Sequence, residues 1–134
     1  PAAAPAAAPA AAPAAAPAAV PNQKAEVVTA IHEWAKAWSA RDVAAYLDFY
    51  SPDFRTPSNM PRAAWEAERR ARLKGASFID VAGRAPEVSI DGTKATAKFK
   101  QRYRSDLASS SDRKTLTWEK RGEKWKIVRE DSHK

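Results

Sequence analysis

Ala95-Thr96-Ala97-Lys98-Phe99-Lys100-Gln101-Arg102-Tyr103-Arg104-Ser105 alternates between two kinds of side chain. Ala95, Ala97, Phe99, Gln101 and Tyr103 share one parity; Thr96, Lys98, Lys100, Arg102 and Arg104 share the other. Successive side chains of a strand point to opposite faces. The run is therefore a strand with one core face and one cationic face, and a one-residue slip would exchange them. Asp91-Gly92 before it is a hairpin-turn dipeptide. Upstream, Ser77–Gly83 reads as a strand through Ile79 and Val81, and Val88 with Ile90 marks another. Downstream, Leu107 to Asp112 reads as a serine-rich loop. Lys114–Lys120 is a strand with Leu116 and Trp118 inward, Arg121-Gly122-Glu123 is a turn, and Trp125–Arg129 is the last strand.

The period before Gly75 is helical. Val27, Ile31, Trp34 and Trp38 step by one helical face in a helix opening at Asn22. Asp42 is an N-cap candidate for a second helix carrying Val43, Tyr46, Leu47 and Tyr50. Pro61 suits the first turn of a third, Arg62 to Lys74, for which Gly75 is a C-cap candidate. The expected fold is α+β: three N-terminal helices packed on a strongly curved antiparallel sheet of four to five strands.

Residues 1–21 contain only proline, alanine and Val20, with Pro1, Pro5, Pro9, Pro13, Pro17 and Pro21 in strict register. Proline at every fourth place opposes helix and favours an extended, semi-rigid spacer. The division is thus a linker, 1–21, and one domain, 22–134. We expect the chain to be the C-terminal piece of a longer protein, the spacer joining it to an upstream domain. All 23 Lys+Arg and all 16 Asp+Glu fall in 22–134, which carries the whole net charge of +7. No apolar stretch is long enough for a membrane span. Zero cysteines exclude a disulfide scaffold, a thiolate nucleophile and a zinc finger. With only His32 and His133, far apart in sequence, no metal site and no cofactor is expected.

Trp65, Arg69 and Arg72 share a helix face. Either Trp65 is core and the arginines pair with acids such as Glu68 or Asp106, or the arginines form an anion-binding mouth. Gln101 on a core face needs several partners, and so hints at a pocket with Tyr103 beside it. The candidate pocket set is Tyr46, Tyr50, Trp65, Arg69, Arg72, Gln101, Tyr103 and Trp118. The outward row Lys98, Lys100, Arg102 and Arg104 is a solvated face, a surface for an anionic polymer, or a dimer interface. Nucleic acid is not expected, because the aromatics of this strand face the other way. Dense cations also oppose self-pairing.

Trp34-x-x-x-Trp38-Ser39, Asp42, Tyr46-Leu47, Tyr50 and Trp65-x-x-x-Arg69-x-x-Arg72 resemble a bacterial branch of the nuclear-transport-factor-2-like superfamily. Phe99-x-Gln101-x-Tyr103-x-Ser105-Asp106, Lys114, Leu116 and Gly122-x-x-Trp125-Lys126-Ile127-x-x-Glu130 fit the same branch. It is similar to the accessory domain found C-terminal to L,D-transpeptidase catalytic domains, and on some tetratricopeptide-repeat or secretion-associated proteins, of the bacterial envelope. The resemblance implies a cone-shaped fold enclosing a pocket, a non-catalytic interaction or dimerisation role, and a cell-envelope or periplasmic location. The partners it implies are the upstream domain, a second copy, an anionic cell-wall polymer or a small ligand. The superfamily also contains ketosteroid isomerases and polyketide cyclases, so a pocket enzyme is the alternative, and a basic adaptor for an anionic polymer is a third reading. Acid–base chemistry needs an inward carboxylate or histidine. Phe99, Gln101, Tyr103, Leu116 and Trp118 supply none, so no catalytic residue is assigned. An inward carboxylate near Tyr46 or Tyr50 would favour the enzyme; a pocket filled by tryptophan would count against it.

Overall fold

A computed structural model describes residues 19–133. Of the extended spacer expected over residues 1–21, residues 1–18 lie outside them. The first helix, α1 (Ala19–Ser39), starts earlier than the sequence reading placed it and takes in Pro21. Proline is tolerated there because first-turn N–H groups have no helical acceptor. Val27, Ile31 and Trp34 are fully buried and Trp38 nearly so, as the stripe requires. Helix α2 (Val43–Asp48) is capped by Asp42, whose carboxylate accepts from the Ala45 N–H at 3.2 Å. It ends before Tyr50, which forms a parallel bridge to Ile127. A 3-10 turn at Pro57–Asn59 precedes α3 (Arg62–Gly75). Gly75 closes this helix without the left-handed turn expected of a C-cap; Ala76 after it is extended.

Four antiparallel strands follow in sheet order β1-β2-β3-β4: β1 (Ile79–Asp91), β2 (Lys94–Ser105), β3 (Ser109–Arg121) and β4 (Lys124–His133). Gly92 and Gly122 take φ +62° in the β1–β2 and β3–β4 turns, where the tight hairpin needs a left-handed residue. The two short strands expected before Asp91 are one. A bulge between Arg84 and Glu87, with Ala85 at φ +51° and Pro86, bends it without ending it. The expected loop Leu107–Asp112 is also corrected. Ser109–Ser111 and Asp112 pair with Arg104–Gln101, because the long β2 supplies ladder partners that outweigh the weak strand preference of serine. The last strand continues past Arg129 to His133.

The inner face of the sheet packs on α1, where Trp34, Phe99, Leu116, Trp118 and Ile127 form the core. A Cβ at Gly83 would lie 3.0 Å from the Phe99 ring of β2 and 3.3 Å from Ile31 of α1, so glycine relieves crowding where sheet and helix meet. The open edge of β4 is covered by the segment after α2: Ser51 N–H donates to Ile127 C=O at 2.8 Å, and Arg55 N–H to Val128 C=O at 3.0 Å. That docking brings Tyr50 across to β4.

Candidate functional site

At one end of the sheet, opposite α2 and α3, lies a cavity of about 540 Å³. Its floor comes from the inner parities of β2 and β3. Gln101 is paired in register with Asp112, and Phe99 with Lys114. Lys114 follows from the Leu116–Trp118 alternation extended by one step.

Glu130 does not follow from alternation. Trp125 and Ile127 point inward, so a regular strand would turn Arg129 in and Glu130 out. The register shifts between Thr117 and Trp118: Trp118 pairs with Ile127, but Thr117 pairs with Arg129 and Leu116 with Glu130. This bulge reverses the parity of the rest of β4 and turns Glu130 inward. An inward carboxylate therefore exists, contrary to the sequence expectation.

Glu130 is the negative end of a hydrogen-bonded chain. Lys114 Nζ donates to its Oε2 at 2.5 Å, and both side chains are 6% exposed. The Tyr50 hydroxyl donates to its Oε1 at 2.9 Å. Trp34 Nε1–H donates to the Tyr50 oxygen at 3.1 Å, and the Tyr46 hydroxyl lies 3.1 Å from it. Since the single Tyr50 proton goes to Glu130, Tyr46 must be the donor of that pair. Arg69 Nη1–H in turn donates to Tyr46 at 3.0 Å. The order is Arg69 to Tyr46 to Tyr50 to Glu130, with Lys114 on the far side. Lys114 Nζ also lies 6.0 Å and 5.9 Å from the Trp34 and Trp38 ring centres.

The charge states follow. Burial works to raise the Glu130 carboxyl, but Lys114 and Arg69, with the hydrogen bonds from Lys114 and Tyr50, outweigh it and hold it below the usual carboxylate range. Burial pushes the Tyr46 phenol up to about 12, and burial with the Glu130 charge pushes Tyr50 well above its ordinary range. Burial also works against the Arg69 charge, but Tyr46, Glu130 and Tyr50 raise it further, so it stays a cation. Near neutral pH Glu130 is therefore an anion, Arg69 a cation, and both phenols keep their protons.

Two polar atoms stand apart. Arg69 Nε and Gln101 Oε1 are buried and have no hydrogen-bond partner among the described residues. Arg69 forms no ion pair among the described residues, though it lies 5.4 Å from the Trp65 ring centre.

Of the eight residues expected to line a pocket, Tyr46, Arg69, Arg72, Gln101 and Tyr103 do so. Tyr50, Trp65 and Trp118 do not line this cavity, which corrects the expectation, although Tyr50 borders a separate groove with Leu47, Arg62 and Lys126. Tyr50, Trp65 and Trp118 are each almost wholly buried behind the wall. Trp65 packs edge-to-face against Tyr50 and tilted against Phe54, and Trp118 lies in the β3 core. Arg72 stands at the rim, exposed and paired with Glu68 at 3.2 Å. Asp106 instead accepts from the Ser77 N–H. Asp48 and Asp53 are exposed and pair with Lys126 and Arg121. Lys98, Lys100, Arg102 and Arg104 are all exposed on the opposite face. Among the described residues no group of acidic or imidazole side chains could hold a metal, and no helix is long and apolar enough to cross a membrane.

A curved antiparallel sheet closed by helices over a polar-floored cavity defines the nuclear-transport-factor-2-like, cystatin-like class of α+β domain. Residues 26–131 match the Cds6 C-terminal NTF2-like domain family, and the chain belongs to it. Among solved structures it is similar to Bd1075 of Bdellovibrio bacteriovorus, at 23% identity and TM-score 0.76 over 84% of this chain and 40% of that one. It is also similar to the helical cell shape determining protein Pgp2 of Campylobacter jejuni, at 16% identity and TM-score 0.75 over 82% and 40%. An NTF2-like protein of unknown function from Pseudomonas putida aligns at 16% identity and TM-score 0.71 over 84% and 87%. These likenesses show a shared fold. The chain spans about 40% of the length of the Bd1075 and Pgp2 structures. No curated protein matches it.

Proposed function

We propose that this chain is a non-catalytic accessory module of a larger bacterial envelope protein, with a cavity that holds a small anionic ligand. The observation that carries the reading is the Arg69–Tyr46–Tyr50–Glu130–Lys114 chain. Its carboxylate is already engaged by an ammonium and a phenol, so it is a poor base, and neither phenol loses its proton near neutral pH. Arg69 carries the charge that lacks a directly bonded acid. A half-buried cation in that position favours a carboxylate or phosphate oxygen, and Gln101 Oε1 would accept from a donor on the same molecule.

The parent protein in this reading has its catalytic domain upstream, of the L,D-transpeptidase type, joined through the Ala/Pro-rich segment 1–21. The likeness to part of a cell shape determining protein supports the envelope setting.

The inward position of Glu130 favours a second reading, a pocket enzyme of the isomerase or cyclase type with Glu130 as base. It would have to release Glu130 from Lys114 first. Native mass spectrometry of the full chain separates the two. The module reading expects an intact, chemically unaltered small molecule that Arg69→Met loses while the fold remains. Conversion of that molecule by the wild type, abolished in Glu130→Gln, would establish the enzyme instead.

A further inference from the structure

The outer face of the sheet carries a cationic row across the strands as well as along one of them. The ladder sets Arg84 of β1 opposite Lys100 of β2, and Lys100 opposite Arg113 of β3. Arg102 follows two residues on, between Ala82 and Ser111. All four cations are exposed, and among the described residues none forms an ion pair. The ends of the β2 row differ: Lys98 stands opposite Glu87, and Arg104 opposite Asp80. Acids thus offset the margins and leave the centre uncompensated.

Directly opposed side chains lie about 5 Å apart at Cβ, and like charges there oppose sheet formation. The fold does not demand them. Equivalent outer positions nearer the β1–β2 turn hold Ser89, Thr96 and Thr117, which satisfy a solvated face without repulsion. A repulsive cluster that folding does not require is explained by an anion that meets it.

The chemistry of the face narrows the occupant. Its central positions hold no aromatic ring, so bases cannot stack on it. They hold no large apolar side chain to enter a bilayer. The exposed Phe78 and Leu107 lie before β1 and in the β2–β3 turn. A second copy would bring the same cations against these. Arginine forks suit phosphate oxygens, and cations along β2 recur every two residues, about 6.6–6.8 Å. We propose that this face binds a linear phosphodiester polymer through its backbone charge alone, of the poly(glycerol phosphate) kind. This site is on the other side of the sheet from the cavity and does not rest on it.

The test is fluorescence anisotropy of labelled poly(glycerol phosphate) titrated with the full chain at several salt concentrations. Binding should weaken with salt, with a log–log slope of about −0.7 per phosphate engaged. Arg84→Gln/Lys100→Gln/Arg113→Gln should cut affinity at least about tenfold and make the slope shallower by about 2 units. Its thermal midpoint should not fall, since it removes repulsion. Lys24→Gln/Arg70→Gln/Lys124→Gln removes three exposed cations elsewhere and should keep the affinity. Equal loss in both triple variants would reduce the effect to net charge and overturn the proposal. So would no binding by the wild type, tighter binding of oligo(dT) or phosphatidylglycerol vesicles at equal phosphate, or a wild-type dimer that the first triple variant dissociates.

Discussion

Replacing Glu130 by glutamine keeps the shape of the side chain and removes its charge. Lys114 is then a buried ammonium whose ion-pair partner is gone, beneath Trp34 and Trp38. Breaking a buried pair from one side costs about 3–5 kcal/mol. The Tyr50 hydroxyl can still donate to the amide oxygen, so the lower part of that range, about 3 kcal/mol, is expected. Five tryptophans, all of them in the core, make denaturant unfolding followed by fluorescence the natural assay. Lys114→Met/Glu130→Leu should recover most of the loss, giving a coupling of about 1.5–3 kcal/mol in a double-mutant cycle. The pH profile provides a second reading. The folded carboxyl is held below its unfolded value, so it binds its proton less readily in the native state. Its contribution is complete above the unfolded pKa, about 4.3, and is lost as pH falls through the lower folded value. Wild type should lose stability over that acid window, and Glu130→Gln should lose less there. A destabilisation below about 1 kcal/mol, or an unchanged acid limb in the variant, would refute the view that this pair is buried, ionised and coupled.

Two further outcomes follow from single positions. Gln101→Leu removes a buried oxygen without a partner, so stability should rise by about 1 kcal/mol while retention of the small molecule falls; a stability loss above 1 kcal/mol in chemical denaturation would mean that the amide is satisfied in the ligand-free fold. Gly83→Ala places a methyl 3.0 Å from Phe99 and 3.3 Å from Ile31 and should cost about 1–3 kcal/mol by overpacking, whereas an unchanged thermal midpoint would show that the sheet can move off α1.

The two ends of the Lys114–Glu130 pair differ in how far the sequence discloses them. Lys114 is two residues before Leu116 and four before Trp118, so plain alternation puts it on the inner face. Glu130 is three residues after Ile127, the wrong parity, and only the shifted pairing of β3 with β4 corrects it. The serines at 109–111 look like loop for a related reason. Their strand state comes from the length of β2 opposite them. Tyr50 sits one turn beyond Tyr46 and so reads as helix, yet it leaves the helix because the edge of β4 offers its neighbours hydrogen bonds.

By itself the sequence determined what depends on neighbours along the chain: the helical stripe of Val27, Ile31, Trp34 and Trp38, the two glycine hairpin turns, and the core and cationic parities of Ala95–Ser105. These rest on backbone periodicity and turn geometry, which act over a few residues. Only the tertiary structure decided that Tyr50, Trp65 and Trp118 stand behind the cavity wall and that Arg84, Lys100 and Arg113 form one row. It alone joined Arg69 to Glu130 through two phenols. Those outcomes depend on a bulge, a ladder register and an edge docking, each set by hydrogen bonds between segments far apart in sequence.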